Sequence, residues 1–176
     1  MARTKREQDR EAKREEIVAA ARTLFVEEGY EAASMSRLAA AAGVAPNTIY
    51  WYFRDKDEVL VAVLEAEFTA RAAEYLQLPL TDRTERLLWV VDRLAAVSRL
   101  VATVHGRLVL SPAINLWHER FHLLTEGLLR EELRQAGVAP AVLDARVKIS
   151  VFTVEGLLSH NLPAAERRAI CAALLA

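Results

Sequence analysis

Apolar side chains recur along this chain at the three- and four-residue intervals of an α-helix. Ile17, Ala21, Leu24 and Phe25 form one stripe, which predicts a first helix over about residues 12–28, ended by Gly29. Ser34, an N-capping hydroxyl, precedes Met35, Leu38, Ala39 and Ala42 and opens a second helix that Gly43 stops. Pro46 suits the first position of a helix, so a third, short one is expected over Pro46–Phe53. Asp55 and Glu58 have the spacing of a capping box, and Val59, Leu60, Val63, Leu64 and Phe68 carry a fourth helix toward Tyr75. Leu78-Pro79-Leu80-Thr81-Asp82 should break it.

Farther on, Val90, Leu94, Val97, Val101, Val104 and Leu108 alternate four- and three-residue steps, which predicts one long packed helix that Gly106 kinks or ends. Ser111-Pro112 reads as the start of the next, whose stripe of Ile114, Trp117, Phe121, Leu124 and Leu128 runs until Gly137. The β-branched run Ile149–Val154 has strand character, but its length and neighbours favour a helix over 141–159. Leu162-Pro163 then leads into a last helix with Ile170, Leu174 and Leu175 on one side. The expectation is an all-α fold of about nine helices.

Composition narrows the class. With 176 residues, 53% of them hydrophobic and 27% charged, the chain can bury a real core and is too small for a large multi-domain enzyme. One cysteine, Cys171, allows neither an internal disulfide nor a cysteine zinc cluster, and a cytoplasmic protein is expected. The N-terminus has basic residues but lacks the apolar stretch of a secretory signal. The longest uncharged run, Leu38–Phe53, has 16 residues broken by Gly43 and Pro46, too few to cross a bilayer about 30 Å thick, so no membrane partner is expected.

Net charge of −1 gives no global attraction to nucleic acid, so any such role must rest on local chemistry. Residues 1–14 carry Arg3, Lys5, Arg6, Arg10, Lys13 and Arg14 against Glu7, Asp9 and Glu11, a local excess of three positive charges. This arm is either a solvated tail or a reach toward phosphates or the minor groove.

Two short helices joined through a glycine turn make the helix-turn-helix layout, whose second helix enters the DNA major groove. The side chains sharpen that signal. Leu38-Ala39, Ala42-Gly43-Val44, Thr48-Ile49-Tyr50, Tyr52-Phe53 and Lys56-Asp57 followed by Leu60 stand in a register that resembles the DNA-binding domain of the TetR (tetracycline repressor) family. The likeness covers roughly residues 13–60, and Ala45 departs from it, standing where the family often has serine. It implies an N-terminal DNA-binding domain over residues 1–55 and a helical ligand-binding and dimerisation domain over 56–176. The implied protein is a ligand-responsive transcriptional regulator, a repressor before an activator, that works as a homodimer on a palindromic operator of double-stranded DNA without enzymatic activity.

Leu38, Ala42, Val44, Ile49 and Phe53 are expected to fill the three-helix core and to leave Asn47, Thr48, Trp51 and Tyr52 on the exposed face beside Pro46. Asn pairs bidentately with adenine and the Thr methyl meets the thymine methyl, so Asn47 and Thr48 are the foremost base readers. The resemblance implies phosphate or base-edge contacts for Ser34, Ser36, Arg37, Tyr50, Tyr52 and Lys56; Tyr50 could equally be a core residue.

For a small-molecule effector of unknown identity, the central helices offer Phe68, Tyr75, Trp89, Trp117 and Phe121 beside polar His105, Arg107, His118, His122 and Glu126, a mixture suited to an apolar pocket with a few orienting groups. Leu157, Leu158 and Leu174 on the last two helices are candidates for the dimer interface. Two other classes compete. One is a helical interaction module that has lost DNA binding. The other is a zinc metalloprotease, because His118-Glu119-Arg120-Phe121-His122 matches H-E-x-x-H. A catalytic zinc needs a third protein ligand, which the sequence does not supply near this motif, and the charged Arg120 also argues against it. Neither a cofactor nor a metal is expected.

Overall fold

The computed structural model describes residues 2–78, 82–160 and 162–175, with only the backbone for residues 2–4 and 6. The expected break at Pro79-Leu80-Thr81 and the side chains of Arg3 and Arg6 lie outside the described residues. Among the described residues there are eight α-helices: α1 (Ala2–Glu27), α2 (Met35–Ala41), α3 (Lys56–Leu76), α4 (Arg83–Ala95), α5 (Ser98–Arg107), α6 (Pro112–Gln135), α7 (Pro140–Ser159) and α8 (Ala164–Leu175). A 3-10 turn at Ile49–Trp51 separates α2 from α3, and there is no strand among the described residues.

The chain divides into two compact units, Met1–Ala73 with Arg99–Trp117, and Glu74–Ser98 with His118–Ala176. In the first, Ile17, Ala21 and Phe25 of α1, Leu38 and Ala39 of α2, Ile49 and Phe53 of the turn region, and Val59, Leu60 and Val63 of α3 are buried together with Leu100, Val104 and Ile114. Each fully buried Val, Leu, Ile or Phe side chain among them contributes roughly 1.5–3 kcal/mol of transfer free energy, so the glycine turn is carried by a core rather than by its own hydrogen bonds. In the second unit, α4 packs on α7 and α8, and Val91, Leu157 and Cys171 form a cluster flanked by Leu87, Leu88, Val154, Leu162 and Ile170.

Local chemistry explains the helix ends. Ser34 sits in extended backbone and its Oγ accepts from the Arg37 N–H at 3.2 Å, the N-cap expected for α2. At the other end Gly43 adopts φ +65°, Val44 N–H donates to the Ala39 carbonyl and Gly43 N–H to that of Ala40, which is a Schellman close. Gly137 at φ +83° closes α6 in the same way onto Leu133 and Arg134. Asp55 accepts from the Glu58 N–H at 2.9 Å, but Glu58 returns its carboxylate to the Arg54 N–H at 2.8 Å rather than to that of Asp55, so the expected capping box is only half formed.

Three expectations change. The first helix reaches back to Ala2, so the basic arm is a continuation of α1 and not a separate tail. The long helix expected through Val90–Leu108 is two, because Ala96 N–H closes onto Asp92 and Val97 N–H tightens onto Leu94 before Ser98 starts α5. Val104 is buried as expected, but Val91 and Leu100 are buried where Val90, Val97 and Val101 are only half-buried. Val91 belongs to one compact unit and Leu100 and Val104 to the other. The third short helix is not α-helical over Pro46–Phe53. Thr48, Trp51 and Tyr52 N–H groups donate three residues back and only Phe53 reaches four back, so the segment is a succession of tight turns around one 3-10 turn.

Candidate nucleic-acid interface

The recognition segment follows from this geometry. Ile49 and Phe53 are buried four residues apart, and that anchoring forces the intervening side chains outward. Trp51 is 73% exposed, Tyr50, Pro46 and Asn47 are exposed, and Thr48 and Tyr52 are half-buried. Tyr50 is therefore not a core tyrosine. The expected core loses Ala42 and Val44, which are only half-buried because they lie at the turn. From α1, Arg10 donates to the Trp51 carbonyl at 3.2 Å, and the guanidinium of Arg14 stands 5.2 Å from the centre of the Phe53 ring. Part of the basic arm thus braces the segment that carries the base-reading candidates.

Several expected phosphate contacts are engaged within the protein. Arg37 pairs with Glu28 at 2.6 and 2.9 Å and donates to the Ala32 carbonyl at 2.9 Å. Lys56 turns inward, its ammonium 2.9 Å from the Tyr30 carbonyl and 3.9 Å from the centre of the Tyr30 ring. In the structure the Lys56 charge is thus engaged by a carbonyl and a π-face. Ser34 is the N-cap, and Ser36 is exposed on the first turn of α2.

One polar cluster in this unit was not legible in the sequence. The Asp57 carboxylate accepts from Arg107 of α5 at 2.8 and 2.9 Å and from the Tyr30 hydroxyl. The Arg107 guanidinium also lies 4.8 Å from the Tyr30 ring centre, so two cations stand close to that ring. Burial pushes the Asp57 carboxyl up, but hydrogen bonds from Arg107, Tyr30 and Ser111 together with the Arg107 charge outweigh it and hold it below the usual carboxylate range. Burial and the bond to Asp57 push the Tyr30 hydroxyl up. Arg107, expected among the effector-binding residues, is occupied by this pair. Nearby, Arg99 of α5 donates to the Glu27 carbonyl at the end of α1 at 2.9 Å.

The other effector candidates divide between the units, with Phe68, His105 and Trp117 in the first and Tyr75, Trp89, His118, Phe121, His122 and Glu126 in the second. His105 is exposed. In the second unit, the Tyr75 and Trp89 rings lie 6.0 Å apart, with Arg86 over Tyr75 at 4.5 Å and Arg93 near Trp89 at 5.7 Å. Glu132 accepts from the Tyr75 hydroxyl and pairs with Arg86 at 3.3 Å. A cavity of about 80 Å³ is lined by Arg83, Leu129, Glu132, Leu133, Ala136, Val138, Arg146, Leu174 and Leu175, none of them an effector candidate. It is smaller than the roughly 300–1,000 Å³ of a drug-sized pocket.

Leu157 and Leu174 are 6% and 7% exposed and belong to the interior of their own unit, while Leu158 is half-buried. The expectation that Leu157 and Leu174 face a partner is corrected accordingly: periodicity marks an apolar face without saying what covers it. Among the described residues no group of three or more His, Cys, Asp or Glu is arranged to hold a metal ion, and no helix is long and apolar enough to cross a membrane.

An N-terminal helix-turn-helix with an outward-facing polar and aromatic recognition segment, followed by further helices, defines a DNA-binding regulator. Residues 17–63 match the family of bacterial regulatory proteins known as the tetR family. The chain is 31% identical to the HTH-type transcriptional regulator SrpR of Pseudomonas putida, over 90% of this chain and 79% of that protein. It is 29% identical to the fatty acid metabolism regulator protein of Bacillus subtilis, over 75% of this chain and 73% of that one. A crystal structure of a transcriptional regulator from Rhodococcus sp. Rha1 superposes with a TM-score of 0.76 at 19% identity, covering 92% of this chain and 93% of the other, a likeness of fold. The chain belongs to the TetR family and is a DNA-binding transcriptional regulator, not an enzyme. These relatives favour neither the interaction module nor the metalloprotease.

Proposed function

We propose that the protein is a cytoplasmic repressor that binds a palindromic operator as a homodimer and leaves it when a small molecule binds. In this reading residues 1–55 contact DNA and 56–176 hold the effector and the partner copy. The observation that carries it is the recognition segment, where Asn47, Thr48, Tyr50 and Trp51 are presented outward from the buried pair Ile49 and Phe53. Asn47 and Thr48 read bases. Ser34, Ser36, Arg37, Tyr50 and Tyr52 add contacts to the backbone, Arg37 after exchanging Glu28 for a phosphate.

One such segment touches few bases, so two copies are needed for tight binding. The surface for that partner is the exposed apolar stripe of α7, where Ile149 is 51% and Phe152 66% exposed in the single chain. Effector release requires that the ligand prefer the DNA-free state, and a coupling of about 1–3 kcal/mol gives a roughly 5- to 150-fold loss of operator affinity. The test is a footprint of the full chain on the intergenic DNA beside its own gene. Protection of a two-fold symmetric site is the expected result, and binding no tighter there than on random DNA of equal length refutes the reading.

A further inference from the structure

The histidine pair of α6 is not used by the DNA-binding function. His118 and His122 stand one helical turn apart, with their Nε2 atoms separated by 3.1 Å, ring centres 4.4 Å apart and ring planes at 60°. Two imidazole nitrogens that ligate one cation at about 2.0–2.1 Å lie about 2.9 Å apart at a right angle and about 3.3 Å apart at the tetrahedral angle. The observed separation falls inside that window. Without a cation a single N–H···N hydrogen bond spans the same distance, so the pair is held at a chelating separation beforehand.

The surroundings of His122 continue the pattern. Its Nδ1 is 3.6 Å from Glu126 Oε1, and Lys148 Nζ grips the two Glu126 oxygens at 3.1 and 3.0 Å. A carboxylate facing Nδ1 favours the tautomer that carries its proton there and leaves the Nε2 lone pair for a metal, the order found where a carboxylate orients a metal-bound histidine. Phe121 meets the His122 ring edge-on at 5.6 Å and 89°, which restricts its rotation. His118, His122, Glu126 and Lys148 all belong to the second unit, and both histidines are half-buried.

We propose that His118 and His122 chelate one late first-row divalent cation, Zn²⁺, Ni²⁺ or Cu²⁺, with Glu126 positioning His122. Imidazole donors select these ions over Mg²⁺ and Ca²⁺, which take oxygen ligands. Two protein donors leave the remaining positions to water, so the ion exchanges readily and does not hold the fold together.

The test is calorimetric titration of chelator-treated full-length protein with Zn²⁺, Ni²⁺ and, as a control, Mg²⁺. One Zn²⁺ or Ni²⁺ per chain and no response to Mg²⁺ are expected. His118→Ala and His122→Ala should each abolish that binding, and Glu126→Gln should keep the stoichiometry and weaken it about 10- to 100-fold. A His105→Ala/His160→Ala variant should bind as the parent does. Helicity measured on every variant guards against unfolding, and His118→Gln serves if His118→Ala does not fold. Absence of Zn²⁺ and Ni²⁺ binding in the parent overturns the proposal, as does equal affinity in the parent and both single-histidine variants.

Discussion

Removing either end of the Asp57–Arg107 pair should expose how firmly α5 is tied to the N-terminal end of α3. The two side chains are 17% and 24% exposed, neither fully buried nor open to solvent. Hydrogen bonds to charged groups contribute about 1.5–3 kcal/mol each, and breaking a fully buried pair costs about 3–5 kcal/mol because one charge is left behind. In Arg107→Ala the Tyr30 hydroxyl still donates to Asp57, which limits the loss. The expected cost is about 2 kcal/mol, or a fall in Tm of about 4–8 °C for a chain of this size. Asp57→Asn should cost a similar amount. If the two act through one contact, Asp57→Asn/Arg107→Ala should cost about 1–2 kcal/mol less than the sum of the singles, since neither charge then lacks its partner.

The pH dependence gives an independent sign. Asp57 is held below its unfolded pKa of about 3.9, so its contribution is complete above that value and is lost as pH falls through the lower, folded value. The parent's advantage over Asp57→Asn should therefore be constant from pH 8 to 5 and shrink below about pH 4. Urea unfolding of the four proteins at several pH values reads both effects. Additivity within about 0.5 kcal/mol, or an advantage unchanged into strong acid, would refute the reasoning.

Other consequences follow from single positions. Asn47→Ala with Thr48→Ala should weaken operator binding by about 1–3 kcal/mol per lost base contact and leave random DNA nearly unaffected; equal losses on both in a mobility-shift titration would remove them as base readers. Gly43→Ala should cost about 1–2 kcal/mol because φ there is +65°, although no atom lies within 4 Å of the added methyl, whereas Gly106→Ala in α5, with the same open space and no positive φ, should stabilise by about 0.5–1 kcal/mol. Thermal melts that move in the same direction for both variants would contradict this backbone argument. Ile149→Asp with Phe152→Asp should give folded monomers in sedimentation, while Leu157→Asp should unfold the chain; a dimer that survives the first pair places the interface elsewhere.

The helical class, the glycine turn and the recognition segment were legible because each rests on local chemistry. Ser34 caps, Gly43 alone tolerates its φ cheaply, and Ile49 and Phe53 recur at the spacing that turns Asn47, Tyr50 and Trp51 outward. Tertiary structure decided what periodicity leaves open. An apolar stripe says that a face is covered and not by what, so Leu157 and Leu174 went to the interior while Ile149 and Phe152 stayed exposed. Charged side chains have long reach and many possible partners, so nothing in their spacing could foretell that Lys56 turns onto Tyr30 or that Arg107 crosses 50 positions of sequence to Asp57. Those choices depend on which helices meet in space, and only the packed core brings them together.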